Sequence, residues 1–222
     1  MRTILSCFIL LFLIIDISHA GVIIGGTRVI YNEGIKDATI NLNNPDDIPY
    51  LVQSWVDTSE SKPQEIFSIT PPLFKLNGES NNTLRIFLTD NTLSNNKESL
   101  FWLNIKTIPA VKHKENSLQL AFRTKMKLIY RPTKLKEANF NELQKKIIWS
   151  KSGSQLTVKN PTPYYINFQQ VIFNDEQVND VSYVAPFSSN SFTVNSSPNH
   201  GIVQWELIND FGATTERTQK KI

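Results

Sequence analysis

Apolar and polar residues alternate along residues 118–132 (LQLAFRTKMKLIYRP). Leu118, Leu120, Phe122, Thr124, Met126, Leu128 and Tyr130 share one face at a period of two, and the opposite face carries Gln119, Arg123, Lys125, Lys127 and Arg131. The alternation predicts a β-strand. Cations facing an apolar row suit an edge strand, because charge along an edge discourages pairing with stray strands. Two uses fit this design. Either the apolar row is core and the cations are solvated, or the edge exists to be paired by a partner.

The same kind of pattern recurs upstream. Residues 22–24, 28–31, 38–42, 51–56, 84–88 and 99–107 are rich in β-branched and aromatic side chains. Turn-forming residues separate them: Gly25-Gly26, Asn32-Glu33-Gly34, Asn43-Asn44-Pro45-Asp46, Asn77-Gly78 and the asparagine-rich run 90–96. About seven short strands at this spacing form an immunoglobulin-like sandwich pattern. Residues 134–146 break it, since they are charged, lack a period of two and predict a hinge with one helical turn near 141–146. Strand signals resume at 147–149, 156–160, 164–173, 191–194 and 201–208. The chain therefore reads as all-β, with an N-terminal sandwich over 21–133, a hinge over 134–146 and a C-terminal sandwich over 147–222.

The first twenty residues read differently. Arg2 is followed by the apolar run 8–15 (FILLFLII) and then by Ser18-His19-Ala20. This is the pattern of a secretory signal peptide cleaved after Ala20. The run is too short for a membrane span, which needs roughly 20 apolar residues. The single cysteine, Cys7, lies in this segment, so the exported chain is expected to hold no disulfide and no cysteine-based metal site. The net charge of +3 is modest, and the cations do not interleave with aromatic residues as nucleic acid binding favours.

Catalytic chemistry has little footing. The three histidines are His19, His113 and His200. The latter two fall in separate turns and make neither a metal site nor a nucleophile–base pair. The run 21–26 (GVIIGG) lacks phosphate-loop spacing and leads into a strand, not a helix. No metal, no cofactor and no enzymatic role are expected. Asn81-Asn82-Thr83 and Asn195-Ser196-Ser197 match the glycosylation sequon, which marks exposed turns at most. Three features look purposeful. Thr70-Pro71-Pro72 between two strands predicts a fixed turn of the kind in which cis bonds occur. Arg28 sits among apolar neighbours in TRVIY, where an arginine either extends to water or awaits an anion. Glu98, Arg131 and Asp210, far apart in sequence, each lie at a strand or domain edge, where one arginine between two carboxylates could lock the domains together.

These residues, taken in order, carry a resemblance. Its markers are TRVIY at 27–31, LVQSW at 51–55, ITPP at 69–72, ESLFWLNI at 98–105 and IP at 108–109. KLIYRP at 127–132, NPTPYY at 160–165 and INDFG at 208–212 complete the set. The chain resembles the periplasmic pilus (fimbrial) chaperones of the chaperone–usher pathway over essentially its whole exported length. The resemblance implies two immunoglobulin-like domains in an L shape with a cleft between them. It implies a periplasmic protein that binds pilus subunits, prevents their aggregation and delivers them to an outer-membrane usher. Arg28 and Lys127 correspond to the pair that holds a subunit's C-terminal carboxylate. Leu118, Leu120 and Phe122 correspond to the donor row that fills the groove of a subunit lacking its last strand, a mode known as donor-strand complementation. Glu98, Arg131 and Asp210 correspond to an interdomain salt bridge. The short loop 111–117 resembles the subclass that serves rod-like pili. The C-terminal domain departs from many members in lacking a cysteine pair.

The physical chemistry agrees with this assignment. Lys127 has the opposite parity to Leu118, so the lysine and the apolar row can do separate jobs. The free chaperone is also expected to be able to cap its own edge by dimerising. The alternative class is an exported two-domain sandwich that acts as an adhesin or carbohydrate-binding protein. That reading predicts a surface aromatic cluster away from Arg28 and Lys127, and indifference to a C-terminal carboxylate.

Overall fold

The structure is a computed structural model that describes residues 21–58, 66–90, 92–111, 118–135, 138–195 and 200–222. The expected signal segment 1–20, all but Val111 of the short loop 111–117, Lys136 and Glu137 of the hinge and Ser196-Ser197 of the second sequon lie outside the described residues.

The chain forms two β-sandwiches in series. The first contains β1 (Ile23–Ile24), β2 (Arg28–Asn32), β3 (Ala38–Asn44), β4 (Tyr50–Thr58), β5 (Phe67–Thr70), β6 (Leu73–Leu76), β7 (Ser80–Leu88), β8 (Ser99–Pro109) and β9 (Phe122–Arg131). The second contains β10 (Ile148–Ser152), β11 (Gln155–Lys159), β12 (Ile166–Phe173), β13 (Glu176–Gln177), β14 (Tyr183–Val184), β15 (Ser189–Thr193), β16 (Ile202–Leu207) and β17 (Thr218–Lys221). One helix, α1 (Phe140–Lys146), precedes the second sandwich.

In the first sandwich the sheet β1-β3-β7-β5 faces the sheet β2-β9-β8-β4-β6. Alternation in sequence becomes alternation in burial: Ala38, Ile40 and Leu42 point inward from β3, and Thr39, Asn41 and Asn43 point outward. Tyr31, Val52, Leu84, Ile86, Leu103, Ile105, Met126, Leu128 and Tyr130 fill the interior between the sheets. The Thr70–Pro71 bond that links β5 to β6 is cis. In the second sandwich the sheet β10-β11-β15 packs on the sheet built around β12 and β16. Trp149, Leu156, Val158, Phe168, Val171, Val203 and Trp205 form its core. Helix α1 belongs to this second core through Phe140 and Leu143. Its N-terminus is capped by Asn139, whose side chain accepts from the Glu142 amide. No helix among the described residues is long and apolar enough to cross a membrane.

The topology around β9 positions the site. Along one side β9 pairs antiparallel with β8 over its full length, from Phe122 opposite Thr107 to Tyr130 opposite Ser99. Along the other side it pairs parallel with β2, but only from Lys127, which lies opposite Arg28, to Arg131 opposite Asn32. The N-terminal half of β9 is therefore an open edge. That edge ends where β2 begins, because the chain before Arg28 crosses to the other sheet as β1, which pairs with β3.

Candidate functional site

The strand predicted over 118–130 is divided by this topology. Met126, Leu128 and Tyr130 are core residues. Leu118, Leu120 and Phe122 share their parity but lie beyond the core, with 84%, 54% and 60% of their surface exposed. Leu118 and Leu120 precede β9 rather than belong to it. Only β8 flanks this side, and its ladder with β9 ends at Thr107. Residues 118–121 thus have no second strand to fix them. The opposite face divides too. Arg123 and Lys125 are exposed, Lys127 is half-buried, and Ile129 and Arg131 are buried.

Arg28 and Lys127 stand side by side at the end of the open edge. Both reach the second sandwich. Lys127 Nζ donates to Asn167 Oδ1 and lies 4.5 Å from the centre of the Tyr183 ring. Arg28 Nη1 donates to the Ile208 carbonyl at a long 3.4 Å. Arg28 Nε is buried without a hydrogen-bond partner among the described residues. Burial, and then the neighbouring Arg28 charge, hold the Lys127 ammonium down to about 8. Burial also pulls the Arg28 guanidinium down, with Asp210 pulling the other way. Two cations sharing a partly dry corner, one with an unmet donor, form a site that an anion would stabilise.

Asp210, the nearby acid, is held by Arg131, which engages both of its oxygens, and it makes no hydrogen bond to Arg28 among the described residues. Arg131 Nη1 and Nη2 donate to Asp210 Oδ2 and Oδ1 at 2.7 and 2.8 Å. Arg131 Nε donates to Glu98 Oε1 at 2.7 Å. The structure thus brings Glu98, Arg131 and Asp210 into one network. Arg131 and Glu98 are almost wholly buried and Asp210 is 18% exposed at its side chain. Burial pushes the Glu98 carboxyl up to about 7, against the opposing pull of Arg131 and of the Tyr165 amide.

Local sequence explains why these groups meet. In NPTPYY the Asn160 Oδ1 accepts from the Thr162 amide and hydroxyl, and Asn160 Nδ2 donates to the Tyr164 carbonyl. This turn presents the Pro163 carbonyl to the Glu98 amide at 2.9 Å and the Tyr165 amide to Glu98 Oε2 at 2.6 Å. In INDFG the Asn209 Oδ1 accepts from the Phe211 and Ala213 amides, which curls the loop and aims Asp210 at Arg131. Gly212 has φ +83°, and a Cβ there would lie 2.6 Å from Thr27 Oγ1. Only glycine lets this loop rest against the start of β2.

Pattern reading misses Asn167 and Tyr183. They meet Lys127 from 40 and 56 residues away in sequence. The one local signal is that Asn167 is a polar residue in a run, Ile166–Phe168, that is buried throughout. His200 lies away from this corner, just before β16.

Fold and site define an all-β protein of two sandwiches whose ninth strand leaves an apolar edge open and ends it in a cationic corner. Residues 21–136 match the family "Pili and flagellar-assembly chaperone, PapD N-terminal domain". Residues 142–219 match "Pili assembly chaperone PapD, C-terminal domain". The chain is 38% identical over 215 residues to the chaperone protein FocC of Escherichia coli, covering 95% of this chain and 94% of that one. Among solved structures, the Escherichia coli chaperone DraB superposes with a TM-score of 0.81 at 34% identity, covering 90% and 95% of the two chains. The SafB chaperone, solved in complex with the Salmonella enterica SafA pilin, superposes with a TM-score of 0.84 at 31% identity, covering 93% of this chain and 99% of SafB. The chain belongs to the PapD family of pilus-assembly chaperones.

Proposed function

We propose that this protein is a periplasmic chaperone that binds pilus subunits by adding a strand to them, keeps them from aggregating and hands them to an outer-membrane usher. One observation carries the reading: the open edge of β9 displays exposed Leu118, Leu120 and Phe122 and terminates at Arg28 and Lys127. Contiguous exposed apolar side chains on a monomer mark an interaction surface. A subunit that lacks its last strand has a lengthwise apolar groove and unpaired backbone groups, which make it an aggregation template. Residues 118–126 supply what it lacks.

Direction follows from charge. A client strand that pairs with the open edge ends against Arg28 and Lys127. Its terminus there must be the carboxylate, not the ammonium, so the client strand runs parallel to β9. Three inserted apolar side chains contribute roughly 1.5–3 kcal/mol each as an upper figure. Hydrogen bonds from cations to the carboxylate add roughly 1.5–3 kcal/mol each. The apolar term blocks aggregation. The carboxylate term fixes register, since a chain has one C-terminus. All of this is binding, and it calls for no catalytic group and no cofactor.

The expected signal segment and the family support the periplasm as the site of action. The same exposed edge supports self-capping, in which two free copies cover each other's Leu118, Leu120 and Phe122 until a subunit displaces one. The test is co-expression with the pilus subunits followed by co-purification from the periplasm. Subunits should be recovered with the native chaperone and lost with Arg28→Ala or Lys127→Ala while the chaperone itself stays folded. Recovery of subunits by both variants would contradict the anchor.

A further inference from the structure

We infer that the outward face of β9 selects client strands carrying acidic side chains at their outward-facing positions. This rests on the reading above, in which the client's last strand lies beside residues 118–126. The face opposite the apolar row displays Arg123 and Lys125, which a strand sets about 7 Å apart. One further cation lies on the neighbouring strand, where Lys106 of β8 is directly across from Arg123, and Lys127 continues the row along β9. Among the described residues of β4, β8 and β9 on this face, Asp57 is the one acid.

Arg123 is held in place before any partner arrives. Its Nε and Nη2 donate to Asn104 Oδ1 at 3.0 and 2.7 Å. Nη2 also lies 3.4 Å from Asp57 Oδ2. The guanidinium sits 5.0 Å from the centre of the Trp55 ring. Asn104 is wholly buried. Its amide nitrogen donates to Asp57 Oδ2 and to the Trp102 carbonyl, which leaves its oxygen turned to Arg123. Lys125 Nζ lies 4.6 Å from the centre of the Trp102 ring, and no carboxylate among the described residues pairs with it. Like charges at neighbouring positions repel. A face built this way favours a partner that neutralises it and rejects one that adds to it.

A client strand running parallel to β9 places alternate side chains on this face, directly across from Arg123 and Lys125. Glutamate or aspartate there adds a carboxylate beside Arg123, whose own acid Asp57 lies at a long 3.4 Å, and beside Lys125, which no carboxylate among the described residues pairs. The selection is thus separate from the carboxylate anchor at Arg28 and Lys127 and separate from the apolar row on the other face.

The test uses synthetic strand peptides that alternate valine with a variable residue and end in a free carboxylate. The variable residue is glutamate, threonine or lysine, and binding to the exported chain is measured by titration calorimetry. Glutamate should bind up to about fivefold more tightly than threonine per position, the size of an exposed ion pair. Lysine should bind more weakly than threonine, and the spread should shrink as salt rises. In the double variant Arg123→Gln/Lys125→Gln, with its fold checked by thermal melting, the glutamate-to-threonine ratio should fall to about one. Equal affinities for the three peptides, or a glutamate preference that survives the double variant, would overturn the inference. Amidating the peptide C-terminus reports separately on the anchor. If amidation changes nothing while the glutamate preference persists, the carboxylate reading fails and the charge selection stands. If no peptide binds, strand addition and charge selection fail together.

Discussion

Lys127 is a half-buried ammonium beside an arginine. Burial and Arg28 bring it down to about 8. In the free protein the cost of keeping it charged is fully present below about 8, and it is relieved as pH rises from there toward the ordinary value of 10.5. The free protein should therefore gain stability across that window. A bound carboxylate reverses the preference by favouring the charged form. Subunit affinity should stay level below about pH 8 and weaken as pH rises above it, and Lys127→Arg should remove that decline. An affinity that stays flat through this window in the native protein would show that Lys127 does not touch an anion. Arg28→Ala should cost about 1.5–3 kcal/mol of complex stability, a 10- to 100-fold weakening. The free chaperone should melt little lower, since Arg28 Nε has no hydrogen bond to lose and the one from Nη1 to the Ile208 carbonyl is long at 3.4 Å. Of this corner, the arginine among apolar residues and the off-parity lysine are visible in the sequence. Asn167 and Tyr183 are not, because strand period says nothing about which distant residue will face a side chain.

At the scale of the element, β9 shows how far alternation carries. The period of two separates Leu118, Leu120 and Phe122 from Arg123, Lys125 and Lys127, but it cannot say where burial starts. Two non-local events decide that. The opposing sheet covers the apolar face from Met126 onward, and on the other face Arg131 is buried against Asp210 and Tyr164 of the second sandwich. Other elements fall below what a period can register. The two-residue β13 and β14 have no alternation to read. The edge strand β17 (TQKK) buries none of its side chains. Leu120→Glu tests the donor row. A carboxylate in the subunit groove should cost several kcal/mol of complex stability. The free chaperone should lose little, because Leu120 is exposed there. Thermal melting of the variant, set beside its recovery of subunits, separates the two effects. A large fall in melting temperature would place Leu120 in the chaperone's own core.

For the whole molecule, the question is what fixes one sandwich against the other. Glu98 and Arg131 come from strand ends of the first domain, and Asp210 and the 163–165 turn come from the second. A buried ion pair is weak support for net stability, but removing one partner strands the other at about 3–5 kcal/mol. Arg131→Ala leaves Glu98 buried with only backbone donors, a cost relieved if the interface opens and the carboxylate meets water. Solution scattering should then show a broader distribution of interdomain distances, while circular dichroism reports both β cores intact. Loss of the β signal would instead assign Arg131 to the fold of its own domain. The two-sandwich division is legible in the sequence because the charged stretch 134–146 interrupts the alternation. That α1 joins the second core through Phe140 and Leu143 is not, since a single helical turn reads the same in a linker and in a core.

The most direct test is amide hydrogen exchange along 118–126, free and bound to a pilus subunit. In the free monomer the amides facing away from β8 have no strand to pair with and should exchange fast. In the complex they should become protected in alternation up to Lys127, with little change from Leu128 to Arg131, where β2 already pairs. Fast exchange along 118–126 in a complex that holds its subunit would contradict strand addition at this edge.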